Sequence, residues 1–339
     1  MSTAATRSAR AEGMPSRHRI LVCLDRSPFS EVCLPYAVSM AKTFGSEITL
    51  MHVMQPHYEH AGPQITDAIG WEISRQEARA YLERHEEHTA QELGRPVTTR
   101  LEQGHPAERI VGLARELGVD LTMLGSHGEG GVTAWNLGST VQQVLAVTRG
   151  SVFIAHSSST APVVAPKRIL VPLDGSLRTE SVLPTAARIT SAYGAEMLLV
   201  HVVQEPVASS VLRTGEELEL AMALAARLEA SAKRYLEGIR DRLLHEVPAV
   251  RTLVVRHANE RQCLLDVAQQ EHAELIVLSA HGLACDPARS FGSVTAHLLT
   301  HSLVPLLVLQ DLPPEVEKPA DLAEQIAPQL RASYPPEAV

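Results

Sequence analysis

With 339 residues, 45% of them apolar and 20% charged, the chain is long enough for about two domains, each with an ordinary buried core. A formal charge of −9 and an aromatic content of 4% exclude the basic footprint of a nucleic-acid binder and a base-stacking platform. The longest apolar runs, such as 197–203 (MLLVHVV), fall well short of the ~18 residues of a membrane helix. The first sixteen residues lack a signal peptide's apolar core, and the four cysteines show neither CxxC spacing nor the density of a disulfide scaffold. A cytoplasmic protein with no membrane or nucleic-acid partner is expected.

Taken in chain order, residues 19–24 (RILVCL) read as a short buried strand ending at Asp25. Residues 31–44 carry helical spacing and stop at Gly45, and 47–54 form a second strand. A long charged helix over 66–93 ends at Gly94-Arg95-Pro96. Strand 97–101, helix 106–117, strand 121–124, helix 139–148 and strand 152–155 complete the first half. In the second half the equivalent strands are 168–173, 196–203, 250–255, 275–278 and 306–309.

The halves are copies. Residues 18–55 align with 167–204 without a gap, with 17 of 38 positions identical, and DLTMLGSHG at 120–128 matches ELIVLSAHG at 274–282. Strands alternating with helices predict two tandem open α/β sandwiches, each with about five parallel strands. The boundaries fall at 17–156 and 167–310. Between them lies a small-residue, proline-bearing linker at 157–166; outside them lie an N-terminal segment at 1–16, expected to be disordered, and an acidic, proline-rich tail at 311–339.

Ligands in such sheets bind beyond the carboxyl ends of the strands. The loop after the fourth strand reads Gly125-Ser126-His127-Gly128, then nine residues, then Gly138-Ser139-Thr140 at the start of a helix. Glycines let backbone approach a ligand, and the helix start adds N–H donors, hydroxyls and a positive terminus, a set suited to phosphate. Asp25, at the end of the first strand, suits either a phosphate-bound hard cation or a turn and helix cap. Val53, at the end of the second strand, reads equally well as strand core.

This pattern resembles the universal stress protein family, whose nucleotide-binding members carry G-x-x-G, nine residues, then G followed by Ser or Thr. Gly125, Gly128, Gly138 and Ser139 reproduce it, and the VxLD-like strand end at Asp25, LMHV around Val53 and Gly104-His105-Pro106 resemble further landmarks. The resemblance implies a cytoplasmic protein binding ATP or another adenine nucleotide, with Mg²⁺, in the first domain and acting as a nucleotide-dependent regulator in the stress response. Asp25 would lie near ribose, phosphates or Mg²⁺, and the Val53 backbone near adenine. Gly125, His127, Gly128, Gly138, Ser139 and Thr140 would wrap ribose and phosphates. Family members commonly pair through their last strands, which implies an intrachain pseudo-dimer of 151–156 with 305–310, and a homodimer beyond it. The protein partner is not legible.

The second copy keeps Asp174, Val202, His281, Gly282, Gly292 and Ser293, but Ser279 replaces the first glycine and Ala258–Gln262 (ANERQ) replaces the G-x-P stretch. If position 279 needs a positive φ, serine costs about 1 kcal/mol or more there. Nucleotide-free scaffold and weak ATPase are the competing readings. No G-x-x-x-x-G-K-[ST] loop, HxGH or SGGxDS signature occurs, so no catalytic residue is assigned and slow hydrolysis at most is expected. The sixteen histidines, including His52, His57, His60, His85 and His88, show no convincing metal spacing, and no redox role is expected of Cys23 or Cys33.

Overall fold

The computed structural model describes residues 18–55, 68–126, 137–156, 165–205, 215–284, 286 and 288–310. The N-terminal segment, nearly all of the linker and the acidic tail lie outside them. The first half contains β1 (Arg19–Leu24), α1 (Pro28–Glu31), α2 (Cys33–Phe44), β2 (Glu47–Met54), α3 (Ala68–Leu93), β3 (Thr98–Gln103), α4 (Pro106–Leu117), β4 (Leu121–Gly125), α5 (Ser139–Val147) and β5 (Ser151–Ala155). The second contains β6 (Arg168–Pro172), α6 (Leu177–Glu180), α7 (Leu183–Tyr193), β7 (Glu196–Gln204), α8 (Gly215–Leu243), β8 (Val250–His257), α9 (Glu260–Gln270), β9 (Leu275–Ser279), α10 (Ser293–His301) and β10 (Leu306–Leu309).

The predicted strands stand where their apolar runs placed them. The helix predicted over 31–44 is preceded by a separate short turn, α1, because Ser27 caps it with its side chain and Pro28 supplies the fixed φ of a first helical residue. Ser176 does the same for α6. Gly45 ends α2 in the left-handed conformation at φ 72°, with its N–H on the Ala41 carbonyl.

All ten strands form one sheet in the order β3-β2-β1-β4-β5-β10-β9-β6-β7-β8. Within each half every pairing is parallel, and the halves join by antiparallel pairing of β5 with β10, where Ile154, Phe153 and Val152 face Leu306, Leu307 and Val308. The intrachain pseudo-dimer is therefore built through the last strands. Each face of the sheet carries one apolar cluster that runs through both halves, with Phe153, Ile154, Leu306 and Val308 fully buried at the seam. Helices also meet across it: Ser39 and Tyr193 share a 2.7 Å hydrogen bond, and Arg188 donates to the Thr43 carbonyl while stacking over Phe44. A strand buried on both faces and paired on both edges leaves no exposed edge at the middle of the molecule. No helix among the described residues is long and apolar enough to cross a membrane.

Candidate functional site

In each half the first strand lies between the second and the fourth, so strand order reverses beside it. The carboxyl ends of β1, β2 and β4 thus bring Asp25, Val53 and Gly125 to one rim, and those of β6, β7 and β9 bring Asp174, Val202 and Ser279 to the equivalent rim. His52 and His201, equivalent residues on β2 and β7, hydrogen-bond through Nδ1 to the carbonyls of Leu24 and Leu173, each at 2.8 Å. They fasten the first strand's end to its neighbour, which is a packing role. Val53 and Val202 are half-buried and pack against the apolar cluster of the α4 and α9 face.

Asp25 organises the turn into α1. Its Oδ1 accepts the Ser27 N–H at 3.0 Å and the Ser27 hydroxyl at 2.5 Å, while its own N–H donates to Ser30 Oγ. Among the described residues nothing donates to Oδ2. Asp174 makes the same turn with Ser176 and Thr179, and its Oδ2 additionally accepts the Leu283 N–H at 2.7 Å. Burial disfavours the Asp174 carboxylate, but hydrogen bonds from Ser176, Leu283 and Thr179 outweigh that and hold its pKa below the ordinary value of 3.8. The repeated D-x-S-x-x-[ST] pattern, 25–30 and 174–179, is the sequence signal for this turn, although sequence reasoning did not use it. A second repeated feature also escaped notice: Tyr81 on α3 donates to Glu31 on α1, and Tyr235 on α8 donates to Glu180 on α6, fixing each short turn beside its rim.

Gly138 caps α5 with an extended backbone, φ −57° and ψ 149°, and its N–H is committed to the Ser126 carbonyl at 2.9 Å. The ladder begins with Gln142 on the Gly138 carbonyl, so among the described residues the N–H groups of Ser139, Thr140 and Val141 have no acceptor one turn back. Gly292 repeats the arrangement on α10, with its N–H on the Ala280 carbonyl and Ser293 following. His127 and Gly128, predicted to wrap the ligand, lie outside the described residues.

Position 279 does not need a positive φ, since neither Gly125 nor Ser279 adopts one. The expected dihedral cost of serine is corrected to a steric matter. A Cβ at Gly125 would stand 2.6 Å from the Phe29 carbonyl oxygen and 2.9 Å from its carbon, backbone atoms that cannot swing aside. In the second half Ser279 is buried, its hydroxyl donates to the His281 carbonyl at 2.5 Å, and its own carbonyl receives Thr295. His281 is itself 1% exposed with Nε2 on the Arg289 carbonyl, so its ring is packed inside the loop. At Gly282 a Cβ would stand 2.3 Å from Asp174 Oδ2. A side chain there would push the Asp174 carboxylate from its present place.

Among the described residues no group of three or more His, Cys, Asp or Glu side chains converges as metal ligands. His57 and His60 lie outside those residues. Cys23, Cys33 and Cys263 are free and buried, and burial pushes the Cys33 thiol up to about 12 and raises Cys23 further, which suppresses thiolate chemistry.

Residues 16–156 and 166–310 each match the Universal stress protein family. The chain is 26% identical over 305 residues to a universal stress protein of Mycolicibacterium smegmatis, covering 87% of this chain and 98% of that one. It is 29% identical over 148 residues to universal stress protein YxiE of Bacillus subtilis, covering 41% of this chain and 99% of YxiE. Among solved structures, a universal stress protein from Archaeoglobus fulgidus superposes with a TM-score of 0.60 at 18% identity, over 86% of this chain and 98% of that one, a likeness of fold. Two matched domains, a shared rim geometry and a tandem relative of nearly the same length place this chain in the universal stress protein family, with two family domains joined into one sheet.

Proposed function

We propose that domain 1 binds an adenine nucleotide, ATP with Mg²⁺, at the rim formed by β1, β2 and β4. The bound nucleotide would set the protein's conformation or partner affinity in a cytoplasmic stress response. The observation that carries this reading is the pairing of two complementary groups at one switch point. Oδ2 of Asp25, to which no described residue donates, suits a hard cation, and the Ser139 and Thr140 N–H groups at the start of α5 suit phosphate oxygens. Gly125, packed under Phe29, and Gly138, capping α5, hold the floor of that groove, and Val53 supplies its backbone at the second strand end. The role assigned is binding, with slow hydrolysis at most, since the sequence carries no phosphoryl-transfer signature. Self-association of the whole chain would engage α3 and α8, whose outward faces expose Ile69, Ile73, Leu220 and Leu224.

The test is to denature freshly purified protein, identify released nucleotide by mass spectrometry, and titrate Mg-ATP into wild type and Gly138→Glu. A carboxylate at the start of α5 repels phosphate. Binding near one equivalent per chain, lost in the variant while thermal unfolding is unchanged, is expected. No nucleotide released and no binding at millimolar Mg-ATP would sink the proposal in favour of a nucleotide-free scaffold. Steady release of ADP and phosphate would make the site a weak ATPase.

A further inference from the structure

We infer that Asp174 is an internal anion that closes the rim of domain 2, so that the glycine loop there is occupied by a carboxylate of its own chain and not by a ligand's phosphate. The reading of domain 1 above supplies the choice of probe, and the experiment below separates the two.

The hydrogen bonds of the Asp174 side chain reach across the rim. Oδ1 of Asp174 accepts the Ser176 N–H and the Thr179 hydroxyl, each at 2.9 Å, and Oδ2 accepts the Leu283 N–H at 2.7 Å. The carboxylate thus spans from the end of β6 to the start of the 282–292 loop. It lies so close to Gly282 that a methyl group there would overlap Oδ2. In domain 1 Ser27 gives both its donors to Oδ1 of the equivalent carboxylate, and Glu129, the counterpart of Leu283, lies outside the described residues.

Three further features act in the same direction. Glu260, at the start of α9, stands where domain 1 has Pro106; burial and the neighbouring Asp174 charge raise its pKa, which marks a second acid facing the same place. The loop is stitched to itself by His281 Nε2 on the Arg289 carbonyl and by Ser279 Oγ on the His281 carbonyl. It is also tied to domain 1, because Ser290 Oγ donates to the Ala146 carbonyl near the end of α5. An incoming phosphate would meet an N–H already taken, a fixed negative charge beside it, and a loop held in place from both ends. Its binding requires Asp174 to leave Leu283.

Two variants release the lock by different routes. Asp174→Ala removes the carboxylate, while Leu283→Pro keeps it and removes the N–H that it accepts; Leu283 is 79% exposed, so its side chain supports little packing. Mg-ATP stoichiometry is measured by equilibrium binding for wild type and both variants, with circular dichroism and thermal unfolding to certify the fold. The expected result is one more equivalent of Mg-ATP per chain in folded Leu283→Pro than in wild type, lost again when Gly292→Glu is added at the start of α10. Asp174→Ala, which also deletes the counterpart of the cation-facing Asp25, is expected to gain its equivalent for ATP without Mg²⁺. The increment reads the lock, and the wild-type number reads domain 1. A wild type that binds none beside a variant that binds one would support the lock and sink the proposal for domain 1. A wild type that already binds two, or no increment in either variant, overturns the lock whatever domain 1 does. If Asp174→Ala fails to fold, Leu283→Pro alone decides.

Discussion

In domain 1 the last residue of β4 lies beneath the backbone of Phe29; in domain 2 the last residue of β9 carries a buried side chain whose hydroxyl turns back into its own loop. The two positions are equivalent in sequence and topology, and both have ordinary strand dihedrals. At position 125 the Phe29 backbone of the short helix after the first strand stands where a Cβ would go. At position 279 a serine is buried without that obstruction, its hydroxyl on the His281 carbonyl. A glycine-loop motif therefore encodes two separable things, a tight floor and an approachable rim.

The largest break in this comparison comes from exchanging those residues. Gly125→Ser should lower the stability of domain 1 by about 2–3 kcal/mol, the upper range for overpacking, because the obstructing atoms belong to a backbone carbonyl. The reverse change, Ser279→Gly, relieves no clash and costs about 0.5–1 kcal/mol for added chain freedom in a strand and about 1 kcal/mol for the lost bond to the His281 carbonyl. Urea unfolding of both variants measures the difference. Equal losses would show that the Phe29 contact does not constrain position 125.

Removing the Asp174 carboxylate comes next. Asp174→Ala deletes the acceptor of three N–H or O–H donors at a half-buried site, and roughly 1–2 kcal/mol is expected at neutral pH after allowing for partial exposure. The folded carboxyl has a pKa below 3.8, so the unfolded chain binds the proton more readily. The stabilisation is complete above the unfolded value and is lost as pH falls through the folded one. The Tm gap between wild type and variant should hold steady from pH 7 to about 5 and close below about pH 4. A gap that persists undiminished to pH 3 would assign the effect to packing rather than to charge.

The strands and the tandem halves were legible because they rest on local pattern and an internal repeat, whereas the seam followed only from the family resemblance. Apolar runs such as 19–24 and 168–172 announce strands buried on both faces, and the repeat announces that whatever one half does, the other half folds to match. The rim residues were legible as a set, since Asp25, Val53, Gly125 and Gly138 follow from strand ends and a helix start. Their individual reasons were not. Gly125 reads from sequence as a loop glycine, and its real constraint is Phe29, a residue brought near by tertiary packing. The sequence shows no more of His52 and His201 than their equivalent places on two strands, and the 2.8 Å bonds to Leu24 and Leu173 assign them. Asp174 matches Asp25 letter for letter, and its bond to the Leu283 N–H, set by how the loop folds back, is not legible in the sequence.

The smallest difference lies one residue further along, at Arg26 and Gly175, which both adopt the left-handed region with φ of 70° and 89°. A Cβ at Gly175 meets nothing within 4 Å, so Gly175→Ala isolates the dihedral cost, about 1 kcal/mol. Arg26 already bears that cost in domain 1. Arg26→Gly removes it but frees the unfolded chain by a comparable ~0.4–1 kcal/mol. It also gives up the exposed 3.3 Å pair with Glu77, an interaction of the kind that contributes little. The two effects nearly cancel, and a net change within about 0.5 kcal/mol is expected from thermal or urea unfolding. A loss as large as that of Gly175→Ala would mean that the Arg26–Glu77 pair holds the turn, and that domain 1 secures with a side chain what domain 2 secures with a glycine.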